Sequence, residues 1–337
     1  MKTRYGQIQI ANSESFSRHP NGFGISPYLQ EKLVFLGQLE VYDQAAQVAK
    51  TLMGLSIASS QIYRLTNHYG TAIEADLDQA VAPDQPPTGQ PTDGVVYVQA
   101  DGAMLLTDEG YKENKLSRIF KATALKQSPV ADRGGSIESS LFTAHLGTAP
   151  DFSAKFQIHL DSYKLLGADL VFISDGAIWL RQLMTTHYPQ ATLILDLYHV
   201  MSYIGQVGVA AYRTQKSQEE WIEQQHRLLL TSELDSVLAH IKALRIKADL
   251  RDSVCRYLEA NRDRMDYARY QKRGLLIGSG AIESAHRTVV QKRLKRSGQR
   301  WSVAGAQHVL NLRTCLMSER WELVRSQIEP FKYAMAA

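Results

Sequence analysis

The order of apolar segments between residues 95 and 196 constrains the fold of this 337-residue chain most strongly. Three consecutive strands are predicted in VVYVQAD, KLSRIFKATAL and SSLFTAHLG, and a helix follows in DFSAKFQIHLDSYKLLGA. Two further strands, DLVFIS and ATLILD, enclose the predicted helix AIWLRQLMTTHY. Three strands, a helix and then alternating strands and helices predict an α/β protein with an RNase-H-like mixed sheet.

Acidic residues follow these apolar runs. Asp101, Asp175 and Asp196 each end a predicted buried strand, and Glu283 opens a basic helix within GSGAIESAHR. A charged Asp at the tip of a buried strand costs desolvation free energy unless a cation or a donor compensates it. Carboxylates are the ligands that Mg²⁺ and Mn²⁺ prefer, and two such ions can flank one phosphorus atom. We therefore expect Asp101, Asp175 and Glu283 to meet around divalent cations.

Each of these carboxylates also has a structural interpretation. Asp101 and Asp175 are both followed by glycine, a combination typical of turns. Asp175 could cap the helix after it, and Glu283 could fill the last position of a capping box. Asp196 could replace Asp175 as the second metal ligand, or it could cap the next helix. The residue pattern leaves these alternatives open.

Residues 27–80 are predicted to be helical, with Gly54 separating two short helices and Ser59 or Ser60 capping the second. The apolar faces of the two helices consist of Ala46, Ala49, Leu52, Leu55, Ile62, Leu65 and Tyr69. The arrangement matches a helix-turn-helix, whose second helix would enter the major groove of DNA, and an ordinary helical hairpin fits equally well. The polar residues available to DNA on the second helix are Gln61, Arg64, Asn67 and His68.

Prolines and helical periodicity suggest boundaries along the chain. The segment APDQPPTGQPTDG is typical of an extended linker, and apolar residues recur at helical spacing from about 198 to 268. The predicted organisation is a helical DNA-binding region (1–82), a linker (83–94), the first part of a catalytic core (95–205), a helical insertion (206–270) and the basic final part of the core (271–337).

Charge is distributed unevenly. The net charge is +4, yet residues 251–313 contain 14 Lys and Arg against 5 Asp and Glu. This excess predicts a polyanionic partner, with a solvated helix face as the alternative. The chain lacks a membrane-length apolar run and its first residues lack the apolar region of a signal peptide. Its two cysteines, Cys255 and Cys315, form no ligand cluster, which favours a reducing compartment.

Four segments together resemble one family. ADGA, ISDGAIWLRQL, YPQATLILDLYHV and GSGAIESAHRTVVQKRLKRSGQRW, in this order, are similar to segments of bacterial insertion-sequence transposases of the Mutator-like superfamily, most closely its ISKra/ISLre branch. The stretch YKENKLSRIF also resembles that branch, in which a Glu and a Lys two residues apart precede a strand. The resemblance covers about residues 95–315.

The resemblance implies a DDE triad in an RNase-H-like fold, with a helical insertion after the last core strand. Residue by residue, the triad maps to Asp101, Asp175 and Glu283, with Asp101 bridging two Mg²⁺ or Mn²⁺ ions. Asp196 and His199 match an Asp-x-x-His element that is expected beside the metals. The implied reaction is hydrolysis at the transposon ends, followed by attack of the freed 3′-OH on target DNA.

The implied partners are double-stranded DNA, both transposon ends and target, and further copies of the chain in a homodimer or larger assembly. No membrane partner is expected, and the expected location is the cytoplasm, at the nucleoid. Residues expected to contact DNA are Gln61, Arg64, Arg287, Lys292, Arg293, Lys295, Arg296, Arg300 and Trp301, the last by stacking on a base or else buried as an anchor.

Three rival functions remain at this point. An RNase-H-like, metal-dependent nuclease would cut DNA without joining it, and a domesticated or truncated transposase would bind DNA without catalysis. A glycoside hydrolase with two carboxylates is disfavoured, because the C-terminal third is basic and no aromatic-rich cleft is predicted.

Overall fold

The computed structural model describes residues 2–3, 6–7, 23–79, 94–126, 135–161 and 168–328. Its centre is a mixed five-stranded sheet with the spatial order β3-β2-β1-β4-β5. The strands are β1 (Gly94–Thr107), β2 (Gly110–Lys121), β3 (Leu141–Leu146), β4 (Ala168–Ser174) and β5 (Thr192–Leu195). β1, β2 and β3 are antiparallel neighbours, whereas β4 and β5 run parallel to β1. The predicted α/β class and all five predicted strands are therefore confirmed.

Helices surround this sheet. Their bounds are α1 (Pro27–Leu39), α2 (Tyr42–Met53), α3 (Ser59–Gln79), α4 (Ala149–Asp161), α5 (Ile178–His187), α6 (Leu197–Ala211), α7 (Gln215–Leu230), α8 (Leu234–Ala243), α9 (Ala248–Ala260), α10 (Tyr267–Lys272), α11 (Gly280–Ala285), α12 (Lys292–Leu294), α13 (Val303–Met317) and α14 (Glu322–Ile328). A π-helical segment, His286–Gln291, joins α11 to α12. The predicted linker, 83–94, lies outside the described residues except for Gly94.

The first strand is longer than predicted. Asp101 lies within β1, paired in register with Leu116 of β2, and the strand continues to Thr107. The turn interpretation of Asp101 and its glycine is therefore wrong. Parallel pairing with β4 ends at Gln99 and Ile173, so Asp101 lies level with the carboxyl end of β4. This register brings Asp101 close to the residue that follows β4, which is Asp175.

Alternation along β1 decides which face of the sheet carries Asp101. Val96, Val98 and Ala100 pack against α4 and α5, as part of a core that includes Phe152 and Leu180. Tyr97 belongs to the opposite face, which packs against α6 to α10. Because side chains two residues apart share a face, Asp101 points to the same side as Tyr97. That side is covered by the insertion and the C-terminal helices.

The N-terminal helices share a core with the C-terminal helices. Leu65 of α3 packs in one cluster with Leu312 of α13 and Val324 of α14. Gly70 makes this close approach possible, because a Cβ atom there would lie 2.5 Å from the His308 carbonyl oxygen. The predicted break at Gly54 is confirmed, since it ends α2 in a left-handed conformation with φ +67°. Leu52, however, is 77% exposed and lies outside the apolar face.

The helix that follows Gly280 is not regular. Its middle turn is π-helical, which leaves backbone carbonyls without their ordinary partners. The buried Arg313 of α13 donates from Nε to the Val289 carbonyl, from Nη2 to the Thr288 carbonyl and from Nη1 to the Gln38 carbonyl. This one side chain therefore stabilises the π segment and joins it to α1. No helix within the described part of the chain is long and apolar enough to span a membrane.

Candidate active site

Asp101, within β1, and Asp175, directly after β4, form an acidic group at the carboxyl end of β4. Burial and then the charge of Asp175 raise the pKa of Asp101 to about 6, and its hydrogen bond from the Gly102 amide only partly opposes this. That amide donates to Asp101 Oδ1 over 2.7 Å. Two carboxylates that repel one another in this way would be neutralised by a cation placed between them.

Asp175 occupies the tight turn between β4 and α5. Gly176 has φ +99°, and Asp175 Oδ1 accepts a hydrogen bond from the Ala177 amide over 3.0 Å. The turn interpretation is confirmed here, whereas α5 is capped at Ala177 and not by the Asp175 side chain. The Tyr257 hydroxyl of α9 donates to the Asp175 carbonyl over 2.7 Å. The insertion therefore holds the backbone of this turn in place.

Both side-chain oxygens of Asp196 accept hydrogen bonds. Its Oδ1 accepts from the Tyr198 and Ser279 amides over 3.0 and 3.1 Å, and its Oδ2 accepts from Ser279 Oγ over 2.5 Å. The residue is only 3% exposed. The helix-capping interpretation is confirmed, because the Tyr198 bond caps α6. A carboxylate whose two oxygens are so occupied is a poor metal ligand, which disfavours Asp196 as the alternative to Asp175.

The loop before α11 is fixed from three sides. Gln99 of β1 donates to the Gly278 carbonyl over 3.2 Å and accepts from the Ile282 amide over 3.0 Å. Arg118 of β2 donates to the Ala281 carbonyl over 3.2 Å, and Asp196 holds Ser279. We call Gln99, Arg118 and Asp196 the loop clamp. The clamp attaches the start of α11 to the strand that carries Asp101.

Glu283 lies in the first turn of α11. It is exposed, and its carboxylate forms no hydrogen bond or ion pair with another described residue. A capping box is not formed, because the Ser279 side chain and amide are both used by Asp196. Glu283 is therefore free to turn toward the acidic group.

His286 ties the same helix directly to Asp101. Its Nε2 lies 3.5 Å from Asp101 Oδ2, and neither ring nitrogen has a good hydrogen-bond partner among the described residues. Burial lowers the pKa of His286 to about 4, although the contact with Asp101 opposes the shift. His286 is absent from the predicted site residues, so the sequence analysis missed this contact. The available signal was its position three residues after Glu283, on the same helix face.

Residues of α6 complete one wall. His199 is half-buried, and its ring meets that of Tyr203 edge to face with centroids 5.3 Å apart. His199 also lowers the pKa of Asp101, against the larger effect of burial. Tyr198 is 68% exposed and lies over Gly278, where a Cβ atom would collide with its ring. His199 therefore lies within electrostatic reach of Asp101, whereas the predicted position of Asp196 and His199 beside bound metals stays a prediction.

The Glu113 and Lys115 pair lies on the other face of the β1–β2 hairpin. Lys115 is almost fully buried and donates to Glu113 Oε2 over 2.7 Å and to the Gly147 carbonyl over 2.8 Å. Glu113 lies over Gly102, where a Cβ atom would collide with it, and its charge also raises the pKa of Asp101. Glycine at position 102 is thus explained by the Glu113 carboxylate.

The predicted DNA contacts divide into exposed and buried residues. Arg287, Lys292, Lys295 and Arg300 are exposed, and Arg296 forms an ion pair with Glu40 at 2.8 Å. Arg293 differs from these residues, because its exposed fraction is 0% and it does not lie on the surface. Trp301 is buried with its Nε1 donating to the Leu294 carbonyl, so the anchor interpretation is confirmed and base stacking is not.

The polar face of α3 is also divided. Arg64 and His68 are exposed and Gln61 is half-buried. Asn67 Oδ1 instead accepts a hydrogen bond from His308 Nδ1 of α13 over 2.9 Å. Asn67 therefore helps to join α3 to the C-terminal helices, and it is not available for DNA.

The positions and the chemistry of the acidic side chains of the site decide whether they can be ligands for a divalent cation. Within the described ranges, no group of three or more His, Cys, Asp or Glu side chains is already close enough to hold a metal ion. Asp101 and Asp175 nevertheless fit one, because their oxygens are hard ligands and their mutual repulsion is uncompensated. The unattached Glu283 carboxylate, in the first turn of α11, is the remaining acidic side chain that the sequence predicts for this site. Cys255 and Cys315 are free and buried, as interpreted from the sequence.

Comparison with known proteins gives a family. A protein of Streptococcus gallolyticus described as "UPF0236 protein in vanSb 3'region" is 23% identical over 316 residues, which cover 91% of this chain and 67% of that protein. The family described as "Uncharacterised protein family (UPF0236)" matches residues 21–320. Because this match covers most of its length, the chain belongs to the UPF0236 family.

Proposed function

We propose that this protein is a DDE transposase, which cleaves DNA at the ends of an insertion sequence and joins the ends to target DNA. The observation that carries the proposal is the closeness of Asp101, within β1, to Asp175, which directly follows the adjacent parallel strand β4. Asp101, Asp175 and Glu283 are the proposed catalytic residues. The resemblance to Mutator-like transposases supplies the reaction class.

The sheet supports the finer assignment of an RNase-H-like core. Its order, β3-β2-β1-β4-β5 with β2 antiparallel to its neighbours, is the one expected of that fold. The helices α7 to α10 occupy the position of the proposed insertion, between β5 with α6 and the helix that carries Glu283. Tyr257 of α9 contacts the Asp175 turn, so the insertion is part of the proposed site.

Two Mg²⁺ or Mn²⁺ ions are the proposed cofactors, held by Asp101, Asp175 and Glu283. When bound, such ions supply a more nucleophilic attacking oxygen and stabilisation of the leaving oxygen. The loop clamp fixes the start of α11 against β1, and His286 contacts Asp101 from the same helix. These residues hold the carboxylates in position, whereas Tyr198 offers an exposed ring at the rim of the site.

Exposed cations beside α11 are the proposed phosphate contacts. Arg287 lies one helical turn beyond Glu283, and Lys292 and Lys295 continue along the same segment. Such contacts position DNA and set salt-dependent affinity without reading sequence. The α2–α3 pair, with Gln61 and Arg64 on its outer surface, is the proposed helix-turn-helix. Assembly as a homodimer or larger complex stays part of the proposal.

The test combines cleavage with strand transfer. Supercoiled plasmid that carries the element ends is incubated with protein and Mn²⁺, and a labelled oligonucleotide with a free 3′-OH reports joining. Asp101→Asn, Asp175→Asn and Glu283→Gln should each abolish both reactions. The control Glu220→Gln changes an exposed carboxylate of the insertion and should retain both.

Each outcome separates the candidates. Cleavage without joining would identify a nuclease. Full activity of the Glu283→Gln variant would remove the triad, and DNA binding without either reaction in the wild type would identify a non-catalytic DNA-binding protein.

A further inference from the structure

A cavity of about 410 Å³ lies between the N-terminal helices and the C-terminal basic segment. Its lining includes Tyr42, Tyr63, Arg293, Gln299, Arg300 and Trp301. Trp301 pairs with Thr107 at the far end of β1. Since Asp101 is six residues earlier in the same strand, this end is ~20 Å from the carboxylates at ~3.3 Å per residue. The cavity is therefore separate from the candidate active site.

Arg293 forms the floor of the cavity. Its exposed fraction is 0%, and its guanidinium lies between the rings of Tyr42 and Trp301, 4.9 and 4.8 Å from their centroids. Nε donates to the Gly37 carbonyl over 3.1 Å. Nη1 and Nη2 have no hydrogen-bond partner in the described part of the chain. A buried cation with unsatisfied donors is costly, and the acceptors beside it, the Tyr42 hydroxyl and the Gln299 side-chain oxygen, are neutral.

The groups around Arg293 are suited to an anion. Arg300 is exposed at the mouth, where its Nε and Nη2 donate to the carbonyls of Thr107 and Asp108. Gly305 lines the cavity in the first turn of α13, whose N-terminus favours negative charge. The buried Gln299 amide has an unpartnered oxygen, and a 180° rotation replaces this oxygen with its NH₂ group.

The acidic residue Glu40 does not satisfy the donors of Arg293. Glu40 forms its ion pair with Arg296 at 2.8 Å. It only partly offsets the burial that lowers the pKa of Arg293, as does Tyr42. The Tyr42 hydroxyl is itself buried without a good hydrogen-bond partner among the described residues. The cavity therefore combines unpaired donors with no acidic group that satisfies them.

We propose that this cavity binds a phosphate group, with Arg293 donating to two of its oxygens from below and Arg300 contacting it at the mouth. The guanidinium fork matches a pair of phosphate oxygens, and the two rings keep the fork in one orientation. Tyr63, which is 46% exposed, also lines the cavity.

The assignment of this phosphate to DNA rests on the proposed function. A DNA strand that extends from the carboxylates would cover the distance of about 20 Å to the cavity in about six nucleotides, at a rise of about 3.4 Å per nucleotide. The cavity then positions the DNA at a second point and holds the N-terminal helices against the core, because its walls come from both.

The first experiment uses inorganic phosphate alone, without DNA or divalent cation. Phosphate affinity is measured by titration calorimetry at constant ionic strength for the wild type, Arg293→Lys and Arg300→Gln. Each cavity variant should weaken binding by about tenfold or more, because a bidentate or charged contact is lost. The matched control Arg227→Gln changes an exposed Arg of the insertion and should bind like the wild type. Equal phosphate affinity in all four proteins, or none in the wild type, would overturn the proposal; Arg300→Gln keeps this test open if Arg293→Lys does not fold.

The second experiment measures affinity for a labelled duplex as a function of salt. Arg293→Lys and Arg300→Gln should weaken binding and reduce the salt slope by about one each, whereas Arg227→Gln should not. If phosphate binds in the cavity but duplex affinity is unchanged in the variants, the ligand is a free phosphate compound and the DNA assignment is wrong. If both experiments succeed while the plasmid is never cleaved, the transposase proposal fails and the phosphate site remains.

Discussion

Replacement of Asp196 tests the distinction between a carboxylate that holds the fold and one that holds a cation. Asp196→Ala removes three hydrogen bonds and leaves the part-buried Tyr198 amide and the buried Ser279 amide without this acceptor. Hydrogen bonds to charged groups contribute about 1.5–3 kcal/mol each, and the relief of a buried charge offsets part of the sum. We expect the free energy of unfolding to fall by about 2–4 kcal/mol.

A conservative substitution of Asp196 should reduce the free energy of unfolding by less. Asp196→Asn retains one acceptor oxygen for the two amides and alters only the bond to Ser279 Oγ. It should cost about 1–2 kcal/mol. Asp175→Asn is the matched comparison, because Asp175 follows the adjacent parallel strand but its side chain accepts only one hydrogen bond from the described residues, from the Ala177 amide. It relieves repulsion with Asp101, so its stability should equal or exceed that of the wild type.

The assay is equilibrium urea unfolding in metal-free buffer, followed by tryptophan fluorescence and circular dichroism. Stability differences are taken from the transition midpoints at a common slope. The reasoning is refuted if Asp196→Ala unfolds at the wild-type urea concentration while Asp175→Asn is strongly destabilised. That order would mean that Asp175 holds the fold and that Asp196 is the residue held under electrostatic strain.

Two further predictions concern pH and packing. The pKa of Asp101 is raised from 3.8 to about 6 in the fold, so its contribution to stability is present below about pH 3.8 and is lost as pH rises through about 6. In metal-free urea titrations, the stability of the wild type relative to Asp101→Asn should therefore fall between these values, and a constant or rising difference would contradict the shift. Gly70→Ala should destabilise the protein by about 1–3 kcal/mol, because the added Cβ atom would collide with the His308 backbone. The control Gly205→Ala lies in open space on α6 and should stabilise the protein by about 0.5–1 kcal/mol. Thermal unfolding measures both, and equal shifts of the melting temperature would disprove the packing argument.

Local patterns predicted the elements of the sheet because strand and helix periodicity depend on neighbouring residues. VVYVQAD and TLILD are apolar runs of strand length, and both are strands. The continuation of β1 past Asp101 was not predictable in this way, because glycine at 102 is typical of a turn. Glycine occurs at position 102 because the Glu113 side chain, on the paired strand β2, occupies the space that a Cβ atom would need.

The roles of individual side chains at the site depend on hydrogen bonds between distant parts of the chain, which local sequence patterns do not reveal. Arg293 has the spacing of a surface cation, yet it is buried because the Gly37 carbonyl, 256 residues earlier, accepts its Nε–H. Likewise, Asp196 is occupied by Ser279, 83 residues later. Asp175 and Asp196 were predictable as strand-end residues and Glu283 as a first-turn residue, whereas Asp101 lies within β1. Which of them is free to bind a cation depends on folded neighbours.

Iron-directed backbone cleavage tests the central claim most directly. The full-length protein is loaded with Fe²⁺ in place of Mg²⁺ and treated with ascorbate and peroxide, and the fragments are identified by mass. Hydroxyl radicals formed at the ion should cut the chain near Asp101, Asp175 and Glu283, and excess Mg²⁺ or the Asp101→Asn change should suppress all three cuts together. Cuts at other positions, or cuts near only one of these carboxylates, would contradict a shared cation site.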